Sequence, residues 1–295
     1  MAITASKMAA ISRLFSSTVF RELATKGRSS LFARLLRESF QSDFYRNLAC
    51  VGDAFDAAFE VLRYGRCRDE YIYKAALTHR VLLGTHSLRT ACMMNEFRVG
   101  DCKADMVILN GTATVYEIKS ERDSLTRLER QIEAYKRVFP TVVVITGENH
   151  LESVLSITSP DVGVMRLSNR YQISTVREAV PIPERISSLA VLDAIRIDEA
   201  KEILQHLGIS IPTVPNTLMR SVLRAEFAKL NPVEVHIEMT RTLKRSRNLV
   251  PLTRLIEQLP SSLHAAALSV PVRKSDHDRL VGAVNTRLRE ALAWG

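Results

Sequence analysis

The segment that decides the fold is KADMVILNGTATVYEIKS, residues 103–120. It contains two apolar runs, residues 104–109 and 114–119, on either side of Asn110-Gly111. Asn-Gly between two such runs is the strongest short hairpin signal, because a type I′ turn needs positive φ at both central positions. The segment therefore predicts an antiparallel β-hairpin closed by a type I′ turn.

Three charged residues interrupt these apolar runs: Asp105, Glu117 and Lys119. Residues i and i+2 of a strand point to the same face, so Glu117 and Lys119 should lie side by side. Asp105, on the partner strand, is placed to supply a second carboxylate. Burying a carboxylate is costly unless it has a partner or a metal. The pattern favours a functional site, with a structural ion pair as the alternative.

Two carboxylates beside a lysine are the groups that a metal-dependent nuclease needs. Oxygen ligands hold hard cations such as Mg²⁺ or Mn²⁺, and the cation activates water and neutralises charge on the phosphate. A lysine next to it positions the water or stabilises the developing oxyanion. We therefore expect Asp105 and Glu117 as metal ligands, joined by the main-chain carbonyl of Ile118, and Lys119 as a catalytic cation.

Apolar spacing predicts the elements next to the hairpin. A strand is expected at Glu96–Val99, before Gly100-Asp101. After the hairpin, Asp123 or Ser124 should cap a helix whose apolar stripe includes Leu128 and Tyr135. A continuously apolar strand follows at residues 142–145, with further strands at 163–167 and 172–176.

Both flanks of this region read as helical. Residues 8–90 show helical spacing. Beyond Pro183, helices are predicted at residues 187–207 and 216–230, from Asn231-Pro232, and from about residue 275. We expect an α/β (α+β) fold in which a mixed-sheet core, residues 91–180, is flanked by a helical N-terminal region, residues 1–90, and a helical C-terminal region, residues 181–295.

The net charge of +9 is concentrated at the two ends of the chain. Residues 1–50 carry a net +5 and residues 216–295 a net +6, whereas the middle is nearly balanced. The densest cluster is the basic run Arg241, Lys244, Arg245 and Arg247, of which the first three share one helix face. Arg122 and Arg127 flank the helix after the hairpin. We expect contacts with nucleic-acid phosphates from Arg122, Arg127, Arg241, Lys244 and Arg245; solvated faces, ion pairs or an oligomer surface are the alternatives.

Several classes of protein are excluded by the motifs. No apolar run reaches the roughly 20 residues of a membrane span, and neither a GxxxxGKS/T phosphate loop nor a GxSxG elbow is present. The four cysteines, Cys50, Cys67, Cys92 and Cys102, form no CxxC pair, which favours reduced thiols in a cytoplasmic protein.

The region from Glu96 to Tyr135, with its ADMVILNG, YEIKS and DSLTRLERQIEAY strings, resembles the PD-(D/E)xK superfamily of restriction-endonuclease-like nucleases. More narrowly, it resembles a little-characterised bacterial family within that superfamily. The resemblance is close over about 50 residues around this region and includes the helical flanks only in outline. It implies a restriction-endonuclease-like core, with Glu96 as an upstream acidic site residue and Gln131 as a helical glutamine at the site. Ala104 stands where the superfamily's name has proline.

The expected function is Mg²⁺- or Mn²⁺-dependent endonucleolytic hydrolysis of DNA, in phage defence or a mobile element. A non-catalytic nucleic-acid-binding or regulatory protein that retains the nuclease fold is the main alternative. A subunit that stays inert until a partner or trigger arrives is another. Homo-oligomerisation or a partner protein is left open, and no membrane association is expected.

Overall fold

The computed structural model describes residues 4–45, 47–64 and 68–294. They form two compact units. The helical unit comprises the described residues of 1–79, 169–171 and 250–295, and the sheet unit comprises residues 80–168 and 172–249. Of the C-terminal region set apart in the sequence, residues 181–249 thus belong to the sheet unit, and residues 250–294 belong with the N-terminal helices.

The sheet unit is built on a six-stranded mixed sheet with strand order β1-β2-β3-β4-β5-β6. Strands β1 to β3 form an antiparallel meander, β4 and β5 run parallel to β3, and β6 returns antiparallel. The strands are β1 (Cys92–Val99), β2 (Cys102–Asn110), β3 (Thr112–Lys119), β4 (Thr141–Thr146), β5 (Gly163–Leu167) and β6 (Ile173–Arg177). The predicted mixed sheet with flanking helices is confirmed, and β1 begins four residues before the predicted strand.

The hairpin between β2 and β3 is present, but its turn differs from the type I′ prediction. Asn110 pairs with Thr112 across Gly111. Gly111 has a φ of 72°, and Asn110 is not among the residues with positive φ. Only the glycine therefore takes the left-handed conformation, which costs a glycine little, and the two-residue geometry that needs two positive φ angles is absent.

Strand β1 is kinked at Glu96, whose φ of 54° is uncommon for a residue with a side chain. Met94 and Phe97 are three residues apart, yet both enter the same apolar core. Regular alternation places residues with that spacing on opposite faces. The kink therefore reverses the alternation along β1.

Strand β2 shows the same reversal next to it. Ala104 and Val107 both enter that core, with Asp105 between them. The pair of Met106 with Tyr116 is the last of the β2–β3 ladder on this side. The two strands separate beyond it, which leaves the side chain of Asp105 next to the end of β3.

One face of the sheet packs against helices of the same unit in a single apolar core. These helices are α7 (Leu128–Lys136), α8 (Leu151–Ile157), α9 (Ser188–Ala194), α10 (Ile197–His206), α11 (Asn216–Phe227) and α12 (Pro232–Ser246). Each contributes buried apolar side chains to that core. The face of β3 that carries Ala113 and Val115 is the covered one, and residues 117 and 119 share it by alternation.

Two helix predictions need correction. Helix α7 begins at Leu128, with Arg127 at its N-cap position, and Asp123 instead accepts hydrogen bonds from the backbone and hydroxyl of Ser120. Asp123 therefore closes a turn and does not cap the helix. The predicted helix over residues 187–207 is two helices, because the chain is extended at Ile195 and Arg196.

The helical unit has an aromatic core of its own, in which Phe15 contacts Phe55, Phe59 and Tyr71. Its helices are α1 (Ala5–Leu14), α2 (Ser17–Lys26), α3 (Ser30–Ser39), α4 (Val51–Arg63), α5 (Glu70–Leu77), α13 (Thr253–Gln258), α14 (His264–Ser269), α15 (His277–Val284) and α16 (Leu288–Ala291). A π-helical turn, Thr78–Leu82, spans the boundary between residues 79 and 80, and a short helix, α6 (Leu83–Thr85), belongs to the sheet unit.

Two expectations about chemistry are addressed by the described part of the chain. Cys50, Cys92 and Cys102 are free thiols, and Cys67 lies outside the described residues. None of the described helices combines the length and the apolar character needed to cross a membrane.

Candidate active site

Glu117 and Lys119 form a buried ion pair near the carboxyl end of β3. The Lys119 ammonium donates to Glu117 Oε1 at 2.8 Å, and the two side chains are only 6% and 2% exposed. It also donates to Gln131 Oε1 at 2.9 Å, so α7 fixes the lysine from above the sheet. Two charges taken out of water need good geometry and further hydrogen bonds to persist, and the cluster provides both.

Asp105 joins this cluster from the kink in β2. Its Oδ2 accepts a hydrogen bond from the backbone N–H of Ile118 at 2.7 Å. The carboxylate thus replaces the ladder acceptor that β2 no longer supplies once the strands separate. Ile118 itself is buried, at 3% exposure.

Tyr135 completes the cluster and was not identified from the sequence as a site residue. Its hydroxyl lies 2.8 Å from Glu117 Oε2 and 3.0 Å from the backbone oxygen of Lys103. It has one proton for these two acceptors. In the sequence, the only signal was the four-residue spacing from Gln131 to Tyr135, which places both on adjacent turns of one helix face.

The electrostatics around Tyr135 reflect burial beside negative charge. Burial raises the pKa of the Tyr135 phenol, and the neighbouring charges of Glu117 and Asp105 raise it further. The hydroxyl is therefore a neutral donor at every physiological pH. It can hold the Glu117 carboxylate without itself ionising.

Carboxylate oxygens are the metal-binding groups that this cluster offers. Both oxygens of Glu117 accept hydrogen bonds, one from Lys119 and one from Tyr135, and Asp105 contributes the second carboxylate. Within the described ranges, no group of three or more His, Cys, Asp or Glu side chains is arranged to hold a metal ion. The ligand set that the residues present provide is thus two carboxylates.

Glu96, expected from the resemblance as a site residue, lies outside this cluster. Its side chain is 62% exposed and accepts from Lys103 Nζ at 2.8 Å. The left-handed φ at Glu96 accompanies this placement. The structure brings together Asp105, Glu117, Lys119 and Gln131, and does not bring Glu96 to them.

Arg122 and Arg127 are exposed on the segment that joins β3 to α7. That segment follows directly from Lys119, so both arginines lie close in sequence to the cluster. Within the part of the chain that the structure describes, neither makes an ion pair. Their guanidinium groups face solvent.

The basic run on α12 is arranged differently. Arg241 pairs with Glu238, and Arg245 pairs with Glu202 of α10. Lys244 is half-buried. Two of the three cations expected to contact phosphate are thus already paired with acids from the protein itself.

A mixed α/β protein with a buried acidic and basic cluster at a strand kink is the class that these observations define. Residues 65–259 match the family model described as Bacteriophage P4 protein cII, and the chain belongs to that family. Protein cII of Enterobacteria phage P4 is 29% identical over 168 residues, which cover 55% of this chain and 58% of the phage protein. The match thus spans less than two thirds of that relative. No solved structure matches the chain.

Proposed function

We propose that the protein is a metal-dependent nuclease that hydrolyses phosphodiester bonds in DNA. The observation that carries the proposal is the convergence of Asp105, Glu117, Lys119 and Gln131 from three different elements into one cluster, in which Glu117 and Lys119 are buried. Burying charged groups is costly unless they are paired or hold a metal ion. The sequence resemblance assigns the same four residues to a nuclease site.

The topology around the cluster supports a restriction-endonuclease-like core. An antiparallel β1-β2-β3 meander is followed by α7 and then by β4, which runs parallel to β3. The two carboxylates come from adjacent strands of the meander, and the helix covers them. This arrangement agrees with the fold that the resemblance implies.

The residues present fit a hard divalent cation. Mg²⁺ is commonly bound through one or two carboxylates, with water and substrate phosphate filling the other positions, and Asp105 and Glu117 would supply those carboxylates. When bound, the cation supplies Lewis-acid activation of water and neutralisation of phosphate charge. The oxygen ligands of the site therefore suit Mg²⁺ or Mn²⁺.

The chain's own residues would share the remaining tasks. Lys119 is a fixed cation beside the carboxylates, suited to stabilising negative charge on the phosphate. Gln131 holds the Lys119 ammonium in place, and Tyr135 orients Glu117. Arg122 and Arg127 lie next to the cluster along the chain and are exposed, as contacts with DNA phosphates require.

Cleavage assays test the reaction. Purified full-length protein should cut plasmid, linear or single-stranded DNA with Mg²⁺ or Mn²⁺, with RNA as a comparison substrate. We expect EDTA and Lys119→Ala each to abolish cutting, whereas Glu129→Gln, a change of an exposed carboxylate on α7, should not. Cutting that persists in EDTA or in Lys119→Ala would contradict the mechanism.

Thermal stability tests metal binding separately from catalysis. A ligand that binds only the folded protein stabilises it by mass action, so Mn²⁺ should raise the melting temperature. We expect Asp105→Asn to lose this increase, and Glu96→Gln and Glu129→Gln to keep it. Loss in Glu96→Gln would show that Glu96, which the resemblance implies as an upstream acidic site residue, takes part in binding the metal. An equal Mn²⁺ response in Asp105→Asn and wild type would remove Asp105 from the ligands.

One observation favours the non-catalytic alternative. The carboxylate oxygens of Glu117 and the ammonium of Lys119 are all engaged within the protein, so the cluster is satisfied without a cation. A nucleic-acid-binding protein that retains the nuclease fold predicts DNA binding without cutting and no Mn²⁺ increment in melting temperature. Those two results together would replace the nuclease proposal.

A further inference from the structure

A second polar feature of the sheet unit lies on another side of α7. It is a cleft of about 250 Å³ between the β1–β2 turn, residues 99–102, helix α7 and helix α9. Arg130 and Arg137 line it from α7, with Ala134 between them, and Asp193 lines it from α9. Residues 130, 134 and 137 share one face of the helix, and the small alanine keeps the space between the two arginines open.

Two more arginines, which do not line the cleft themselves, pair with Asp193 of its lining. From α11, Arg220 Nη2 lies 2.8 Å from Asp193 Oδ1, and Arg224 Nη1 lies 3.2 Å from Asp193 Oδ2. Asp101, in the turn, lies 3.5 Å from Arg130. The lining residues together with these two partners of Asp193 amount to four arginines and two aspartates, a net charge of +2.

These ion pairs are weak enough to be exchanged for a ligand. Asp193 and its two arginines are about half exposed, and Arg130 and Asp101 are 72% and 85% exposed. Exposed pairs contribute little to stability. Among the described residues, Arg137 has no acidic partner, and its cation is already available.

We propose that this arginine cleft binds a backbone phosphate of DNA. Guanidinium groups bind phosphate through bidentate, charge-assisted hydrogen bonds, and the acidic partners here are exposed and held only in weak pairs. The inference rests on the nuclease function proposed above. Cys102 at the cleft and Asp105 in the buried cluster are three residues apart on β2, roughly 10 Å, or about three base steps along a duplex. The cleft would therefore hold the strand a few nucleotides from the bond that is cut.

Two substitutions should act in opposite directions. Arg137→Ala removes one phosphate contact and should reduce the slope of log affinity against log salt by roughly 0.9. The affinity lost between about 50 and about 200 mM salt should then be roughly 3.5-fold smaller than for wild type. Asp193→Asn releases Arg220 and Arg224 from their acidic partner and should tighten binding several-fold at low salt.

The measurement is fluorescence anisotropy of a labelled duplex with the full chain in EDTA, so that no cutting occurs. Arg89→Ala is the matched control, because Arg89 is an exposed arginine of the same unit outside the cleft. The slope of log affinity against log salt should therefore be closer to wild type in Arg89→Ala than in Arg137→Ala. Both cleft variants change exposed side chains, so circular dichroism should show the wild-type fold.

The outcomes separate the cleft from the nuclease proposal. If Arg137→Ala and Asp193→Asn change DNA affinity as expected but wild type cuts with neither Mg²⁺ nor Mn²⁺, the cleft proposal stands and the nuclease proposal fails. Cutting by wild type, with Arg137→Ala and Asp193→Asn binding DNA as wild type does, would overturn the cleft alone. Absence of DNA binding by wild type would also overturn the cleft proposal. So would binding of a mononucleotide in place of DNA: the mononucleotide would raise the melting temperature of wild type but not of Arg137→Ala, and the two proteins would bind DNA with equal affinity.

Discussion

Two charged regions of the sheet unit, both singled out in the sequence, are organised in opposite ways. Glu117 and Lys119 of β3 are buried together, with Asp105 of β2 partly buried beside them and α7 supplying Gln131 and Tyr135. The basic run on α12 lies on one helix, and acids of α10 and α12 pair with Arg241 and Arg245. The comparison shows that a run of like charges in a sequence need not produce a charged surface. Scattered charges inside apolar runs, by contrast, indicate a cluster.

The third arginine of the basic run strengthens this contrast. Arg247 makes two hydrogen bonds, both at 2.9 Å or less, to the Glu199 carboxylate of α10. Its guanidinium also lies over the ring of Phe97. The arginine therefore fastens the C-terminal end of α12 to α10 and β1, which is a structural role.

The largest effect is expected from breaking the buried pair. Lys119→Met leaves the Glu117 carboxylate buried without its cation, which should lower the free energy of unfolding by about 3–5 kcal/mol. Urea denaturation in EDTA measures it. Lys103→Met is the control, because Lys103 pairs with Glu96 at the surface, where such pairs contribute about 1 kcal/mol or less. The double variant Glu117→Gln/Lys119→Met should recover part of the loss; equal stability of Lys119→Met and wild type would refute the buried pair.

The next effect concerns His236, which anchors α12 independently of the basic run. Burial lowers the pKa of His236 from 6.5 to about 4, although a hydrogen bond to the Val138 carbonyl opposes the shift. The unfolded chain therefore binds the proton first as the pH falls. Stability should be lost between about pH 6.5 and pH 4, by about 3 kcal/mol in total, and His236 should contribute no slope above that range.

The measurement for His236 is the free energy of unfolding across a pH series. His236→Gln should flatten the dependence between pH 6.5 and pH 4 relative to wild type. A wild-type slope in His236→Gln would show that His236 is not the titrating group.

A smaller effect is expected from Tyr135→Phe. The change leaves Glu117 Oε2 and the Lys103 carbonyl without their shared donor, which should cost about 1–3 kcal/mol. The Mn²⁺ increment in melting temperature should persist, because the carboxylates remain. Tyr116→Phe is the control: Tyr116 is also buried, but no described residue hydrogen-bonds to its hydroxyl. If the two variants lose equal stability, the Tyr135 hydroxyl has no special role.

The smallest effect should follow from the triple change Arg241→Ala/Lys244→Ala/Arg245→Ala. Three free phosphate contacts would flatten the salt dependence of DNA affinity by roughly 2.7. The acids that pair with Arg241 and Arg245 are only 12% and 29% exposed, unlike Asp101 and Asp193 of the arginine cleft, which are 85% and 42% exposed. We therefore expect a reduction of about 0.9 or less, with about 1 kcal/mol or less lost in stability for each broken pair. If the slope of log affinity against log salt falls by about 2.7, DNA displaces Glu238 and Glu202 from the arginines. The basic run would then be a DNA-binding surface, and the contrast with the buried pair of Glu117 and Lys119 would not hold.

Much of this arrangement was predictable from the chain. Asn110-Gly111 between apolar runs predicted the hairpin, and period-two alternation predicted that Glu117 and Lys119 share a face. The spacing of Leu128, Ile132 and Tyr135 predicted the helix that covers them. These features depend on local backbone periodicity and turn chemistry, which act between near neighbours in the sequence.

Only the tertiary structure decided the rest. The alternating pattern of apolar residues cannot reveal a kink, so it did not show the reversal at Glu96. That reversal accompanies the exposure of the Glu96 carboxylate and the separation of β2 from β3 at Asp105. The role of Tyr135 depends on contacts with Glu117 and Lys103, 18 and 32 residues away. The pairing of Arg245 with Glu202 likewise depends on how α10 packs against α12. The sequence by itself determined which residues carry charge and which segments form strands and helices; whether those charges end up buried, paired or exposed depends on the packing of distant elements, because burial and ion pairing are properties of the folded chain.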